Sequence, residues 1–280
     1  MYQAKTVIYG ALAAKCLGIK EIYPYIGGIG SIFLSDTLKI RILRFIMVNE
    51  YKVALRKCPK IFFENCDDVA VFRENRLVSD EQVVVLNGIG VNIDEFGMMP
   101  QPEQVSFLCV SRLIRDKGVY EYLEASRIVK RRYPDTRCLL VGPFDANPSA
   151  ITAEELQAFI DDGTIEFFGE QNDIRPYMMQ ASVFVLPSYR EGTPKSILEA
   201  MACGRAVITT NAPGCRERVI EGVNGYLVPV HDAGAVAERM ISFIEDPEQI
   251  KAMAEAGRSM AEEKYDVMKI NGTMGRAMGI

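Results

Sequence analysis

The chain has 280 residues, enough to bury one large core or two modest ones, with 49 % hydrophobic and 25 % charged residues and a net charge of −5. That balance gives no reason to expect a nucleic-acid partner. The seven cysteines are odd in number, scattered and without a C-x-x-C pair, which argues against a disulfide framework or zinc site and for a reducing, cytoplasmic setting.

No apolar run reaches the ~18–20 residues needed to span a bilayer. Charge is unevenly spread: residues 1–60 carry ten Lys/Arg against three Asp/Glu (+7), leaving 22 against 34 (−12) for the rest. Thr6–Leu17 is expected to be a helix ending at Gly18, and Glu21–Ile26 a strand. Gly27, Gly28 and Gly30 follow as a glycine cluster. It lacks G-x-G-x-x-G spacing and a helix directly behind it, so it reads as a tight loop rather than a dinucleotide site.

Residues 37–57 read as one basic helix. At 100° per residue, Arg41, Arg44, Lys52 and Arg56 share an arc of ~120° with Phe45, Val48 and Leu55 among them. Ile42, Leu43, Met47, Val53 and Ala54 fall on the other side, expected to pack on a sheet. Cations mixed with large apolar residues suit an anionic membrane surface; a solvated basic face is the alternative. Lys60–Glu64 and Gln82–Leu86 are further strand candidates, with a helix-like Asn65–Arg76 between them. The two prolines in Met98–Glu103 place a domain boundary there.

From Val105 strand and helix alternate regularly, as a doubly wound parallel sheet requires. Strands are expected at Val105–Val110, Arg137–Gly142, Thr164–Phe168, Ser182–Leu186, Ala206–Thr210 and Gly225–Pro229. Val119–Arg132 has helical period, Asp232–Ile244 and Glu248–Tyr265 read as closing helices, and the last fifteen residues show little pattern. His231, the only histidine, reads as a surface residue. Arg112 and Lys117 follow the first strand of this half, where a ligand would lie. Arg112 offers a fork for phosphate and Lys117 a point charge.

Between the strands Ser182–Leu186 and Ala206–Thr210 lies a helix-start signal: Thr193 as N-cap, Pro194 at the first helical position, and Gly204 as the stop. Such a helix aims free N–H groups and its positive dipole end at the crevice, an anion site. Glu191 sits on the loop before it and Glu199 inside it. A lone pair of glutamates at this spacing reads more readily as two solvated residues. The Gly192-Thr193-Pro194 context, the cap and the strands turn the balance toward a site for a phosphate with hydroxyls on both sides.

Glu191-Gly192-Thr193-Pro194 through Glu199-Ala200-Met201-Ala202-Cys203-Gly204 resembles the E-x7-E signature of family 4 glycosyltransferases. The resemblance runs from about Thr6 to Tyr265 and is strongest from Phe107 to Pro229. It implies the α/β GT-B fold, with two Rossmann-like domains: residues 1–98 as the later part of the acceptor-side domain, 99–265 as the donor-nucleotide domain, and 266–280 as a tail crossing back to the first. On this resemblance the first domain lacks on the order of a hundred residues, including an early glycine loop and a cleft histidine.

The implied reaction is a retaining, metal-independent transfer of a hexose or N-acetylhexosamine, without cofactor. It would run from a nucleotide-diphospho-sugar, UDP-linked by expectation, to a glycan or polyprenyl-linked acceptor in surface polysaccharide synthesis. Arg112 and Lys117 would hold the diphosphate, Glu191 the transferred sugar and Glu199 the ribose. Gly192, Thr193, Pro194, Lys195 and Ser196 would line the donor site, Gly142 and Phe168 the base, and Gly27, Gly28 and Gly30 the cleft. Two other readings stand beside it: a nucleotide-sugar-binding or scaffold protein without turnover, and a two-carboxylate glycosidase, which would have no use for diphosphate-binding cations.

Overall fold

The computed structural model describes residues 4–29 and 37–280. They form two compact units, one of residues 1–90 with 267–280 and one of residues 91–266.

In the first unit α1 (Ala4–Cys16), β1 (Tyr25–Ile26), α2 (Leu38–Leu55), β2 (Ile61–Phe63), α3 (Cys66–Glu74) and β3 (Val83–Val85) follow one another. The strands pair in parallel in the order β1-β2-β3. Their core joins Val7, Ile8 and Ala11 of α1, Tyr51, Ala54 and Leu55 of α2, and Ile61 and Phe63 of β2. The Phe72 ring meets Tyr51 and Phe63 edge-on at 5.1 Å each. Thr37 caps α2, accepting from the Ile40 N–H. At its other end Lys15 of α1 donates to the carbonyls of Val53 and Arg56, a cation where the dipole favours one. Only Tyr25 and Ile26 of the expected Glu21–Ile26 strand pair with a neighbour among the described residues.

The faces of α2 differ from the expectation. Leu55, expected outside, is fully buried, while Ile42 and Val53, expected inside, are 54 % and 60 % exposed. The docking of α2 is set by its last turn, through Tyr51, Ala54 and Leu55, and its first three turns lie largely open. An apolar stripe built for the whole length of the helix therefore mislocates the inner face.

The second unit comprises β4 (Ser106–Val110), α4 (Val119–Arg132), β5 (Arg137–Val141), α5 (Ala153–Asp161), β6 (Glu166–Phe167), α6 (Arg175–Met178), β7 (Val183–Leu186), α7 (Lys195–Ala202), β8 (Ala206–Thr210), β9 (Gly225–Val228), α8 (Ala233–Glu245) and α9 (Glu248–Met260). All six strands are parallel, in the order β6-β5-β4-β7-β8-β9. Strands β4, β5, β7 and β8 are apolar on both faces and almost wholly buried, as a sheet covered by helices requires. The chain winds outward from β4 to β6 and returns to add β7 beside β4. The strand order therefore reverses between β4 and β7, and ligands of such sheets bind at the carboxyl ends there.

The division between units falls after Gly90, not at Met98–Glu103. Residues 91–101 are fastened to the second unit by backbone acceptors. Val91 N–H donates to Tyr265 O at 2.8 Å. The Arg258 guanidinium donates to Phe96 O at 2.8 Å and Ala202 O at 2.7 Å. Arg205, fully buried, donates to Pro100 O at 2.9 Å and to the Gln101 side chain at 3.0 Å. The prolines lie within the second unit.

After α9 the helix widens to a π turn over Ala261–Tyr265, and α10 (Val267–Met278) belongs to the first unit. Its Ile270 is buried with Tyr25, Phe62 and Leu86. The tail thus carries a helix where the sequence shows little pattern, because one buried side chain in twelve residues leaves almost no periodic signal.

Candidate functional site

Two segments meet at the β4/β7 reversal. The first leaves β4 as Ser111–Ile114, makes one 3-10 turn over Arg115–Lys117, and turns into α4 through Gly118. Gly118 has a φ of +69°, and a Cβ there would lie 2.0 Å from Pro187 O, so the position takes only glycine for two reasons. The second segment leaves β7 as Pro187–Pro194 and enters α7.

Their principal link is an ion pair. Lys117 Nζ lies 2.5 Å from Glu191 Oε1, with side chains 23 % and 10 % exposed. Ser188, fully buried, has its hydroxyl 2.8 Å from the same Glu191 oxygen and 3.1 Å from Asp116 O. The Thr210 hydroxyl at the end of β8 donates to Ser188 O. A base of buried hydroxyls therefore holds Glu191, and its carboxylate faces the cation that follows Asp116.

Helix α7 begins at Lys195 with Pro194 as N-cap, which corrects the expectation of Thr193 as cap and Pro194 inside the helix. Arg218, buried, donates to the Thr193 hydroxyl at 3.2 Å, so that hydroxyl accepts from a side chain and not from the helix. Among the described residues no side chain caps α7, and Ile197 N–H folds back on Pro194 O at 3.0 Å. The N–H groups of Lys195 and Ser196 have no intrahelical acceptor, which leaves the positive end of the dipole open. Gly192 and Pro194 are buried beneath this start, Ser196 half-buried, and Lys195 exposed.

Glu199 sits four residues past Lys195, roughly 6 Å down the axis, and is 6 % exposed. Burial pushes its carboxyl above the usual carboxylate range, opposed by Lys195, whose Nζ is 3.1 Å from Oε1.

Arg112 is not part of the Lys117–Glu191 cluster. Its guanidinium pairs with Asp145 at 2.7 Å, and its side chain is 54 % exposed. The Asn147 N–H, then Arg112, hold the Asp145 carboxyl below the usual range. Gly142 starts the loop that carries Asp145. A Cβ on Gly142 would lie 1.7 Å from Ser111 O, so this loop packs directly on the one that carries Arg112. Phe168 stands next along the rim, its ring 4.8 Å from that of Tyr177. Gly27 and Gly28 follow β1 in the first unit, and Gly30 lies outside the described residues.

Residues that the sequence did not assign to the site complete the rim: Ser188, Asp145, Arg218, and a trio of Tyr189, Glu121 and His231. Ser188 and Tyr189 carried a usable signal, since they follow a buried strand directly. Neighbouring thiols offer no nucleophile, because burial pushes Cys109 and Cys215 up to about 12. Among the described residues no group of three or more His, Cys, Asp or Glu could hold a metal ion, and no helix is long and apolar enough to cross a membrane.

Comparison with known proteins gives the family and the fold. The family model for glycosyl transferases group 1 matches residues 98–260. The chain is 28 % identical over 256 residues to the N,N'-diacetylbacillosaminyl-diphospho-undecaprenol alpha-1,3-N-acetylgalactosaminyltransferase of Campylobacter jejuni, covering 86 % of this chain and 66 % of that protein. It is 25 % identical over 278 residues to the putative colanic acid biosynthesis glycosyltransferase WcaL of Escherichia coli, covering 94 % and 66 %. The chain thus spans just under two thirds of the length of these relatives. Among solved structures it is similar in fold to Anabaena HepE in complex with UDP, with a TM-score of 0.83, 22 % identity, and coverage of 99 % of this chain and 78 % of that one. The fold is of the GT-B class, α/β with parallel Rossmann-like sheets.

Proposed function

Because the chain belongs to the group 1 glycosyl transferases, we propose that it moves a hexose or N-acetylhexosamine from a UDP-sugar to a glycan or lipid-linked glycan in surface polysaccharide synthesis. Retention of configuration and independence from metal are part of the reading. The observation that carries it is the Lys117–Glu191 pair at the β4/β7 reversal, in front of a helix start with open N–H groups.

The charge that such a reaction must stabilise develops on the departing nucleoside diphosphate. Preorganised cations and dipoles at the place where charge appears are usually the largest catalytic contribution. Lys117, Arg112 and the N-terminus of α7 are three such groups on adjacent segments. Donor binding would exchange partners: Lys117 leaves Glu191 for phosphate, and Glu191 takes a hydroxyl of the sugar. Glu199, deeper along α7, would take the ribose. The C. jejuni relative is named for an undecaprenol-linked acceptor, and this supports a polyprenyl-linked acceptor here.

Isothermal titration of the 280-residue chain with UDP and UDP-sugars tests the donor site. Binding should be unchanged by EDTA; binding that disappears with EDTA would overturn metal independence, and no binding of any UDP compound would overturn the reading itself. A scaffold without turnover would bind equally, and release of UDP in the presence of an acceptor separates the two.

A further inference from the structure

The partner exchange proposed above sets a mechanical problem for the rim, and the inference rests on that reading. Lys117 and Glu191 are fully available to phosphate and sugar only when they no longer neutralise each other at 2.5 Å. When they part, the two segments at the β4/β7 reversal lose the link at their mouth. Yet the two groups must stay in register to grip one ligand from both sides, since a misplacement of about 1 Å can cost ~100-fold in rate.

A second link joins the same two segments behind the first. The Tyr189 hydroxyl donates to Glu121 Oε1 at 2.7 Å. Glu121 stands four residues after Lys117, across Gly118 and in the first turn of α4; Tyr189 stands two residues before Glu191. Each member of the Lys117–Glu191 pair is thus coupled through a short stretch of backbone to a member of the inner pair. Backbone contacts support the inner link: Tyr189 N–H donates to Asp116 O at 2.9 Å, the carbonyl that Ser188 also approaches.

Three features mark the inner link as more than a chance surface contact. Glu121 is only 8 % exposed, although it is an ionisable residue in the first turn of a helix. Its Oε2 is buried and has no hydrogen-bond partner among the described residues. A carboxylate kept under cover with one oxygen unserved costs stability, so its single strong bond, to Tyr189, is the contact it is held for. Finally, His231 lies over Tyr189, ring centroids 3.9 Å apart, with Nδ1 3.9 Å from Glu121 Oε1 and its side chain 63 % exposed. Its ring thus packs against the phenol that makes the hydrogen bond.

We propose that Tyr189 and Glu121 are positioning residues: their hydrogen bond keeps the two ligand-gripping segments in register while Lys117 and Glu191 exchange each other for the donor. Neither touches the ligand. The bond stays closed through the exchange because neither partner has another role in it.

The test is UDP affinity by calorimetry on the 280-residue chain, with far-UV melts in the absence of UDP to show that each variant folds. Tyr189→Phe keeps the ring against His231 and removes only the hydroxyl; UDP affinity should fall about tenfold, the scale of one buried hydrogen bond. Glu121→Ala, which removes the acceptor from the other side, should show the same loss, and the two changes together no more than either alone. Glu121→Gln keeps an acceptor for the hydroxyl and should hold UDP within about twofold of the unaltered chain, a rescue that a merely destabilised fold would not give. Equal UDP affinity of Tyr189→Phe and the unaltered chain overturns the inference alone, as does a Glu121→Gln as weak as Glu121→Ala. Absence of UDP binding by the unaltered chain overturns the donor reading, and this inference with it.

Discussion

Lys117 and Arg112 were equivalent cations in the sequence, and their surroundings separate them. Lys117 is 23 % exposed and faces a carboxylate that buried hydroxyls hold in place, whereas Arg112 is 54 % exposed and leans on Asp145. Lys117→Ala should weaken UDP binding by ~1.5–3 kcal/mol, the range for a bond to a charged group. Arg112→Ala, screened by water, should weaken it by ~1 kcal/mol or less. Calorimetry in which Arg112→Ala is the more damaging would reverse their roles. Glu199 gives a second, independent prediction. Burial, against the pull of Lys195, raises its carboxyl above the ordinary value of 4.5. The folded state therefore holds a proton that the unfolded chain has released, and Glu199's contribution to stability, full below that value, is lost as pH rises through the raised one. Glu199→Gln cannot ionise and lacks this loss. Urea midpoints of the variant relative to the unaltered chain should climb as pH rises from the ordinary carboxylate range toward neutrality; a constant difference would show that Glu199 is not the titrating group. Both glutamates were legible because a strand, a loop and a helix start frame them. Asp145 and Arg218, which hold Arg112 and the Thr193 hydroxyl, were not, because they reach the site from segments that only the folded sheet brings together.

At the scale of elements, the sequence was most informative where burial is symmetrical. Strands β4, β7 and β8 are apolar runs covered on both faces, and Val119–Arg132 shows its helical period without a break. Helix α5, of nine residues, was not read from the sequence, although the capping box of Thr152 and Glu155 closes its start. Helix α2 was legible as a helix but not as a face. Its open turns expose Leu38 at 74 %, Phe45 at 70 % and Ile46 at 48 %, besides Ile42 and Val53. Lys39, Arg41, Lys52, Arg56 and Lys57 are exposed around them. This corrected surface is still one of cations interleaved with large apolar groups, each cation contributing about 1 kcal/mol near anionic headgroups. The chain should therefore co-sediment with vesicles containing phosphatidylglycerol, less so at high salt, and less after Ile42, Phe45 and Ile46 are changed to Ser. Equal recovery with purely zwitterionic vesicles would reduce α2 to a solvated basic helix.

At the scale of the whole molecule the question is where a separable donor unit begins. Pro100 and Pro102 suggest a start near residue 101, but the hydrogen bonds place it at Val91. Sequence punctuation reports a bend in the backbone and says nothing about which carbonyls a distant arginine will seek. Arg258 illustrates the consequence. Its guanidinium, 18 % exposed at the side chain, donates to the carbonyls of Phe96 and Ala202 and pairs with Glu262 at 2.6 Å. A fragment of residues 91–266 retains all of these, together with the Val91 N–H to Tyr265 O bond and the parallel bridge between Val91 and Asp266. A fragment of residues 101–266 loses the Val91 and Phe96 contacts and the burial of Val91 and Phe96, which are 1 % and 8 % exposed here. It leaves Arg258 short of an acceptor, at a cost of about 1–3 kcal/mol. Arg205 loses Pro100 O as well, and burial has already lowered its guanidinium to about 10, so it tolerates the loss of an acceptor poorly. The longer fragment should therefore melt cooperatively at a clearly higher temperature than the shorter one, and it should bind UDP with the affinity of the 280-residue chain, since Lys117, Glu191 and the start of α7 all lie within it. Two fragments with the same melting temperature would show that residues 91–100 are a tether, and that the proline pair had marked the boundary after all.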